Sequence, residues 1–238
     1  MITIHEIWVY LSGSPLLALI LTLGAYQLGV LAYERAARNP LANPVLITVT
    51  LIAVTITLIG MPYAEYFEGA QFVHFLLGTA TVALAVPIYN GLGALRGRVV
   101  PLFVALVCGG AVSIASAVGI AALLGADGTI LGALWAKSVT APIAMGVAER
   151  IGISPTLTAV FAVSTGILGA MLARFVLDAV GSKAWWQRGF ALGVASHGIG
   201  TSRAFSVSEE AGTYAGLAMG LHGIAGAVLI PLAFRMAS

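Results

Sequence analysis

Charges recur along this chain at intervals that a lipid bilayer would set. Glu6 and Glu34 enclose 27 residues without Asp, Glu, Lys or Arg, Arg38 and Glu65 enclose 26, Glu68 and Arg96 enclose 27, and Arg98 and Asp127 enclose 28. A transmembrane helix needs about 20 mostly apolar residues, so each interval can span. A water-soluble fold of 238 residues could not cover its surface with the 8% of charged residues available, because soluble domains use roughly 25%.

Beyond Asp127 the intervals shorten. Runs of 9 and 11 residues flank Lys137, and runs of 23, 14 and 24 residues follow Arg150, Arg188 and Glu210. The pattern predicts an all-α polytopic membrane protein of about eight elements, at 7–33, 44–63, 71–94, 99–125, 128–148, 155–178, 186–207 and 211–235. Helices are required because an open strand leaves backbone groups unpaired in hydrocarbon. Trp8, Tyr10, Tyr63, Tyr66, Trp185 and Trp186 fall at element edges, where amphipathic rings suit the headgroup layer, although any one of them could simply fill a packing gap. The start MITIHEI carries an acidic residue and no basic n-region, so the first element is expected to stay in the mature protein. Arg35 with Arg38, and Arg96 with Arg98, alternate with Glu65/Glu68 and Asp127, which places the N-terminus outside the cytoplasm.

An offset of 115 residues brings Glu34-Arg35 onto Glu149-Arg150 and Asn39-Pro40 onto Ser154-Pro155. This suggests two membrane repeats of about 110 residues, 1–127 and 128–238, against the alternative that two helix ends converged on similar caps. Duplicated halves with interrupted helices at matching places point to a transporter's binding site near mid-depth.

Three interruptions carry polar groups. In 76–91, Pro87 removes a backbone donor and Thr79, Thr81 and Asn90 add polarity; a kink in a structural helix is the alternative. In 133–146, Lys137 lies inside an apolar element beside Ser138, Thr140 and Pro142, which marks a second helix break. A charge at depth costs about 2.5–3.5 kcal/mol on insertion scales and is seldom kept without a task, unless it snorkels from a helix end. In 191–208, Gly193, Gly198 and Gly200 loosen the backbone, Ser196 and Thr201 offer hydroxyls, and His197 and Arg203 add a titratable and a permanent cation. An ordinary helix ending in a loop anchored by Arg203 is the alternative.

These cations lie inside elements, whereas every acidic residue lies near an element boundary. Cations, hydroxyls and freed helix N-termini favour an anion, and His197 suggests a coupled proton. Gly212, Gly216 and Gly220 would let another helix approach closely, internal or from a second subunit. His74 and His222 read as structural. Cys108 is the only cysteine, so no disulfide or cysteine metal site is expected. No hydrolase, nucleotide-binding or zinc-protease motif occurs, so neither an enzyme nor a cofactor is expected, and a net charge of +2 without a dense basic cluster excludes nucleic acid.

The strings LGTATVALAVPIY (77–89), KSVTAPIA (137–144) and ASHGIGTSRA (195–204) resemble, in this order, those of the LrgB/CidB family. The resemblance covers nearly the whole chain. Thr79 stands where many members carry proline, and Ala141 where a second threonine is common. The family implies a bacterial plasma membrane, a holin/antiholin-like role in murein hydrolase control and lysis, and a smaller LrgA/CidA-type membrane partner. A plastid relative that exports glycolate and glycerate implies carboxylate transport. The resemblance also implies an inverted-repeat transporter fold with broken helices, although the loop charges suggest parallel repeats unless an element is re-entrant. Together these predict a secondary transporter subunit for a small monocarboxylate, with the lipid bilayer and further copies as partners; a lysis regulator acting by oligomerisation is the alternative. Lys137 and Arg203 would attract the carboxylate, Ser138, Thr140, Ser196 and Thr201 would bond its oxygens, and Gly198 and Gly200 would line the break.

Overall fold

The computed structural model describes residues 15–83, 86, 89, 93 and 97–237. Among these the chain is helical, without strands: α1 Pro15–Arg35, α2 Pro44–Leu58, α3 Tyr63–Ala83, α4 Val99–Leu123, α5 Gly128–Leu134, α6 Ala141–Arg150, α7 Pro155–Ala179, α8 Trp185–Phe205 and α9 Glu209–Ala237. The chain divides into two compact units, residues 1–80 and 81–238.

In the first unit, α2 begins where Asn43 accepts hydrogen bonds from the backbone N–H of Val45 (2.9 Å) and Leu46 (3.2 Å), with Pro44 at the first helical position, where no donor is needed. Ala18, Tyr66 and Ala70 form its core, and the Tyr66 hydroxyl is hydrogen-bonded to Thr22 at 2.7 Å.

Among the described residues four helices are long and apolar enough to cross a membrane, α1 from Leu16 onward, α4, α7 and α9. Their outward faces carry large apolar side chains such as Phe103, Leu123, Phe175 and Leu229, all exposed, a surface suited to lipid rather than water. Among the described residues there are fewer clean spans than the eight expected elements: α2 has 15 residues, the stretches 128–148 and 186–207 do not run straight, and the element expected at 71–94 lies partly outside them.

Both of those stretches fold back on themselves. A Cβ built on Gly132 would lie 2.5 Å from Ile153 Cδ1, so the turn that follows α6 returns beside the middle of α5, and residues 128–153 form a helical hairpin with its tip at 135–140. In α8 the turn is a single residue: His197 has φ 40° and ψ −131°, between helical arms. A Cβ on Gly200 would lie 2.8 Å from the carbonyl of Leu192, and Leu192 shares a core cluster with Ala204. In a straight helix twelve residues would separate those two by about 18 Å.

The first hairpin opens at the N-terminal end of α7. The second opens at its C-terminal end, where Arg188 pairs with Asp178 at 2.6 Å. Both tips reach the middle of the long helices: Ser138 meets His222 and Val139 meets Gly226 on α9, while His197 meets Ala162 and Gly166 on α7. At an offset of 58 residues the hairpins share Ala133-Leu134 with Ala191-Leu192, and Ser138 with Ser196. The first arm of α8 lies so close to α9 that Gly193 leaves no room for a Cβ beside the carbonyl of Ala215. Such small-residue contacts are how helices approach without a hydrophobic drive in lipid.

Candidate functional site

The tip of the first hairpin exists because helix cannot continue through 135–140. Pro142 lies in the first turn of α6, where its missing N–H costs nothing, and Thr140 before it takes an extended ψ of 145° as N-cap. Lys137 and Ser138 therefore sit on the turn itself. Lys137 Nζ donates to Ser113 Oγ of α4 at 3.1 Å, and Ser138, fully buried, is hydrogen-bonded to His222 Nε2 at 3.0 Å.

The second tip is held by α7. A non-glycine residue at positive φ is costly and persists only when its surroundings fix it. Here His197 Nε2 donates to the Ala162 carbonyl at 2.8 Å, and the ring lies against Gly166. Ser196 rests on Gly169, where a Cβ would run into its hydroxyl.

Between α7 and the first arm of α8 lies a cavity of about 510 Å³. Its lining is mostly apolar, with Ser113, Lys137, Thr165 and Ser196 as polar members. Small-molecule sites have this form, an apolar cleft with a few placed polar groups. Ser196 Oγ is fully buried and has no hydrogen-bond partner, as has the buried Thr140 Oγ1. A buried hydroxyl left unpaired costs about 1–3 kcal/mol, so it either waits for a ligand or is a cost the fold carries. With one ammonium and three hydroxyls, and no carboxylate in the lining, the cavity can neutralise and hydrogen-bond a small anion.

The other expected residues are dispersed. Thr201 Oγ1 donates back to the His197 carbonyl at 2.8 Å, and Gly200 packs inside the second hairpin. Gly198 is half-buried, 3.7 Å from Met219 Sδ by its added Cβ. Arg203 lies in a neighbouring cavity and donates to Ser206 Oγ at 3.4 Å. In the first interruption, Thr79 Oγ1 donates to the Leu76 carbonyl at 2.8 Å on an exposed helix face. Thr81 belongs to α3, while Pro87 and Asn90 lie outside the described residues. Three contributors escaped the sequence reading. Ser113 and Thr165 are hydroxyls within apolar spans and carry no signal. His222 reads as a lone core histidine, and only the fold sets it against the Ser138 tip. Among the described residues no group of three metal-ligating side chains occurs.

A model of the LrgB-like family matches residues 22–236. The chain belongs to the LrgB-like family. Relatives of this LrgB-like chain include the uncharacterized proteins YwbG and YxaC of Bacillus subtilis, 33% and 31% identical over 86% and 91% of the chain and 90% and 94% of their own lengths. The holin-like protein CidB of Staphylococcus aureus is 26% identical over 91% of the chain and 94% of its own length. No solved structure matches the chain. Family and apolar helices together make it a multi-pass membrane protein.

Proposed function

We propose that this LrgB-like protein is a carrier subunit for small monocarboxylates of the 2-hydroxy or 2-oxo acid class, such as glycolate, glycerate, lactate or pyruvate, in a bacterial plasma membrane. One observation carries the reading: Lys137 and Ser196, the latter with a buried hydroxyl that has no hydrogen-bond partner, line one cavity beside the two hairpin tips. Lys137 neutralises the carboxylate, and Ser113, Thr165 and Ser196 bond its oxygens. A coupled proton is assigned to His197 or His222, the imidazoles at the two tips. Arg203 acts outside this cavity. In this reading the repeated unit is a hairpin followed by a spanning helix, at 128–179 and 185–237. Hairpins opening at opposite ends of α7 would supply the two gates of alternating access. Further copies of the chain, or a smaller LrgA/CidA-type subunit, complete the assembly.

Uptake of labelled glycolate, lactate and pyruvate into proteoliposomes tests the proposal. Flux should saturate, be competed by unlabelled acid, and fall at least tenfold in Lys137→Ala. A flux that rises linearly with concentration, or is indifferent to Lys137, sinks it.

The second reading is a holin-like membrane protein controlling lysis through oligomerisation. It is favoured by the holin-like naming of the CidB relatives, which speaks for it more directly than for a carrier. It requires large, non-saturable leakage of unrelated solutes, so the same vesicles decide between the two.

A further inference from the structure

Next to the Lys137 cavity is a second one, of about 450 Å³, at the C-terminal end of α7 where the α8 hairpin opens. Arg174, Lys183, Arg188 and Arg203 all line it, against one carboxylate, Asp178. That carboxylate is already engaged, at 2.6 Å by Arg188 and 3.8 Å by Arg174. Arg188 is further fixed by donating to the Ser182 carbonyl at 2.7 Å and by stacking over Trp185. The first turn of α8, which supplies Trp185, Arg188 and Gly189 to the wall, has neither an acidic residue nor a side-chain cap, so its positive dipole end adds to the field. Ala173, Leu177 and Leu192 belong to the walls of both cavities, so the two adjoin across an apolar sill.

We propose that this cationic cavity is a vestibule that binds a small carboxylate before it crosses the Ala173–Leu177–Leu192 sill to Lys137. The inference deepens the carrier reading and rests on it. Clefts lined by one sign of charge raise the local concentration of the opposite ion and its on-rate by about 10 to 10³, in a salt-dependent way. Arg174 and Lys183 are the exposed cations of the set and supply the field without holding the fold. The same cations would also serve as positive-inside anchors, but anchors alone would not bind a carboxylate.

Trp185 reports on the vestibule directly. In the full chain with Trp8, Trp135 and Trp186 changed to Phe, in phosphatidylcholine vesicles, iodide should quench Trp185 several-fold more efficiently than neutral acrylamide does. Millimolar glycolate should protect it, and Arg174→Gln/Lys183→Gln should abolish both effects, with Arg235→Gln as an unaffected control. In flux, Arg174→Gln/Lys183→Gln should raise KM about fivefold at low salt, flatten its salt dependence and spare Vmax. Iodide quenching indifferent to the two substitutions overturns the vestibule. So does protection that comes only from added phosphatidylglycerol and not from glycolate, since the cavity would then hold lipid headgroups. Absence of saturable flux in the unmodified chain, with charge-dependent quenching and glycolate protection intact, instead defeats the carrier reading and leaves a bound anion.

Discussion

Ser196 separates the two uses a buried hydroxyl can have. If its unpaired Oγ is only a cost, Ser196→Ala raises stability by about 1 kcal/mol and leaves transport alone. The carrier reading expects the same gain in Tm together with a tenfold or larger fall in saturable flux, so thermal unfolding and uptake must be measured on one preparation. Gly169 sets the space this hydroxyl occupies. Gly169→Ala drives a methyl into Ser196 and should destabilise by roughly 1–3 kcal/mol, and removing the hydroxyl as well should return part of the loss. For Ser138 and His222, a double-mutant cycle to alanine should give a coupling of about 0.5–1.5 kcal/mol, the range of one hydrogen bond; additive effects would mean that the tip is held by packing alone.

Among the elements, α8 is the one whose shape decides the mechanism. Its composition reads as a helix with glycines, and nothing local says whether 191–208 kinks, unwinds or reverses. The reversal at His197 is fixed by α7, through the Ala162 carbonyl and the room left by Gly166. With Cys108→Ser as background, Leu192→Cys and Ala204→Cys should cross-link readily with a short bismaleimide. A straight α8 would hold them about 18 Å apart and give no product. The α5–α6 hairpin is more legible, since Pro142 and the Lys137 position mark its tip in the sequence. Even there the spacing of charges is compatible with a single crossing, because 23 residues from Gly128 to Arg150 are enough to span.

At the largest scale described, that of the second unit, the distribution of cations favours one orientation. Arg98, Arg174, Lys183, Arg188 and Arg203 gather at the end where α8 opens, with Arg98 hydrogen-bonded to Tyr214 and stacked over Trp186. The opposite end holds Arg150 and Arg235. The positive-inside rule then predicts that the vestibule faces the cytoplasm. An impermeant maleimide should label Lys183→Cys only from the cytoplasmic side and Asp127→Cys only from outside. The reverse pattern would turn the carrier around.

The sequence by itself determined the solvent and the element type: uncharged intervals of bilayer length demand helices, and the rarity of charge makes Lys137 conspicuous. It also marked the family, because the strings at 77–89, 137–144 and 195–204 resemble, in order, those of LrgB/CidB members. Tertiary structure decided the rest. Whether an apolar stretch crosses or turns back depends on what meets its midpoint, and here glycines and a carbonyl on α7, with His222 on α9, meet the two tips. Arg203 and Lys137 look alike as buried cations along the chain. They part into separate cavities because the α8 hairpin carries residue 203 back to the surface it started from, which only the reversal at His197 accomplishes.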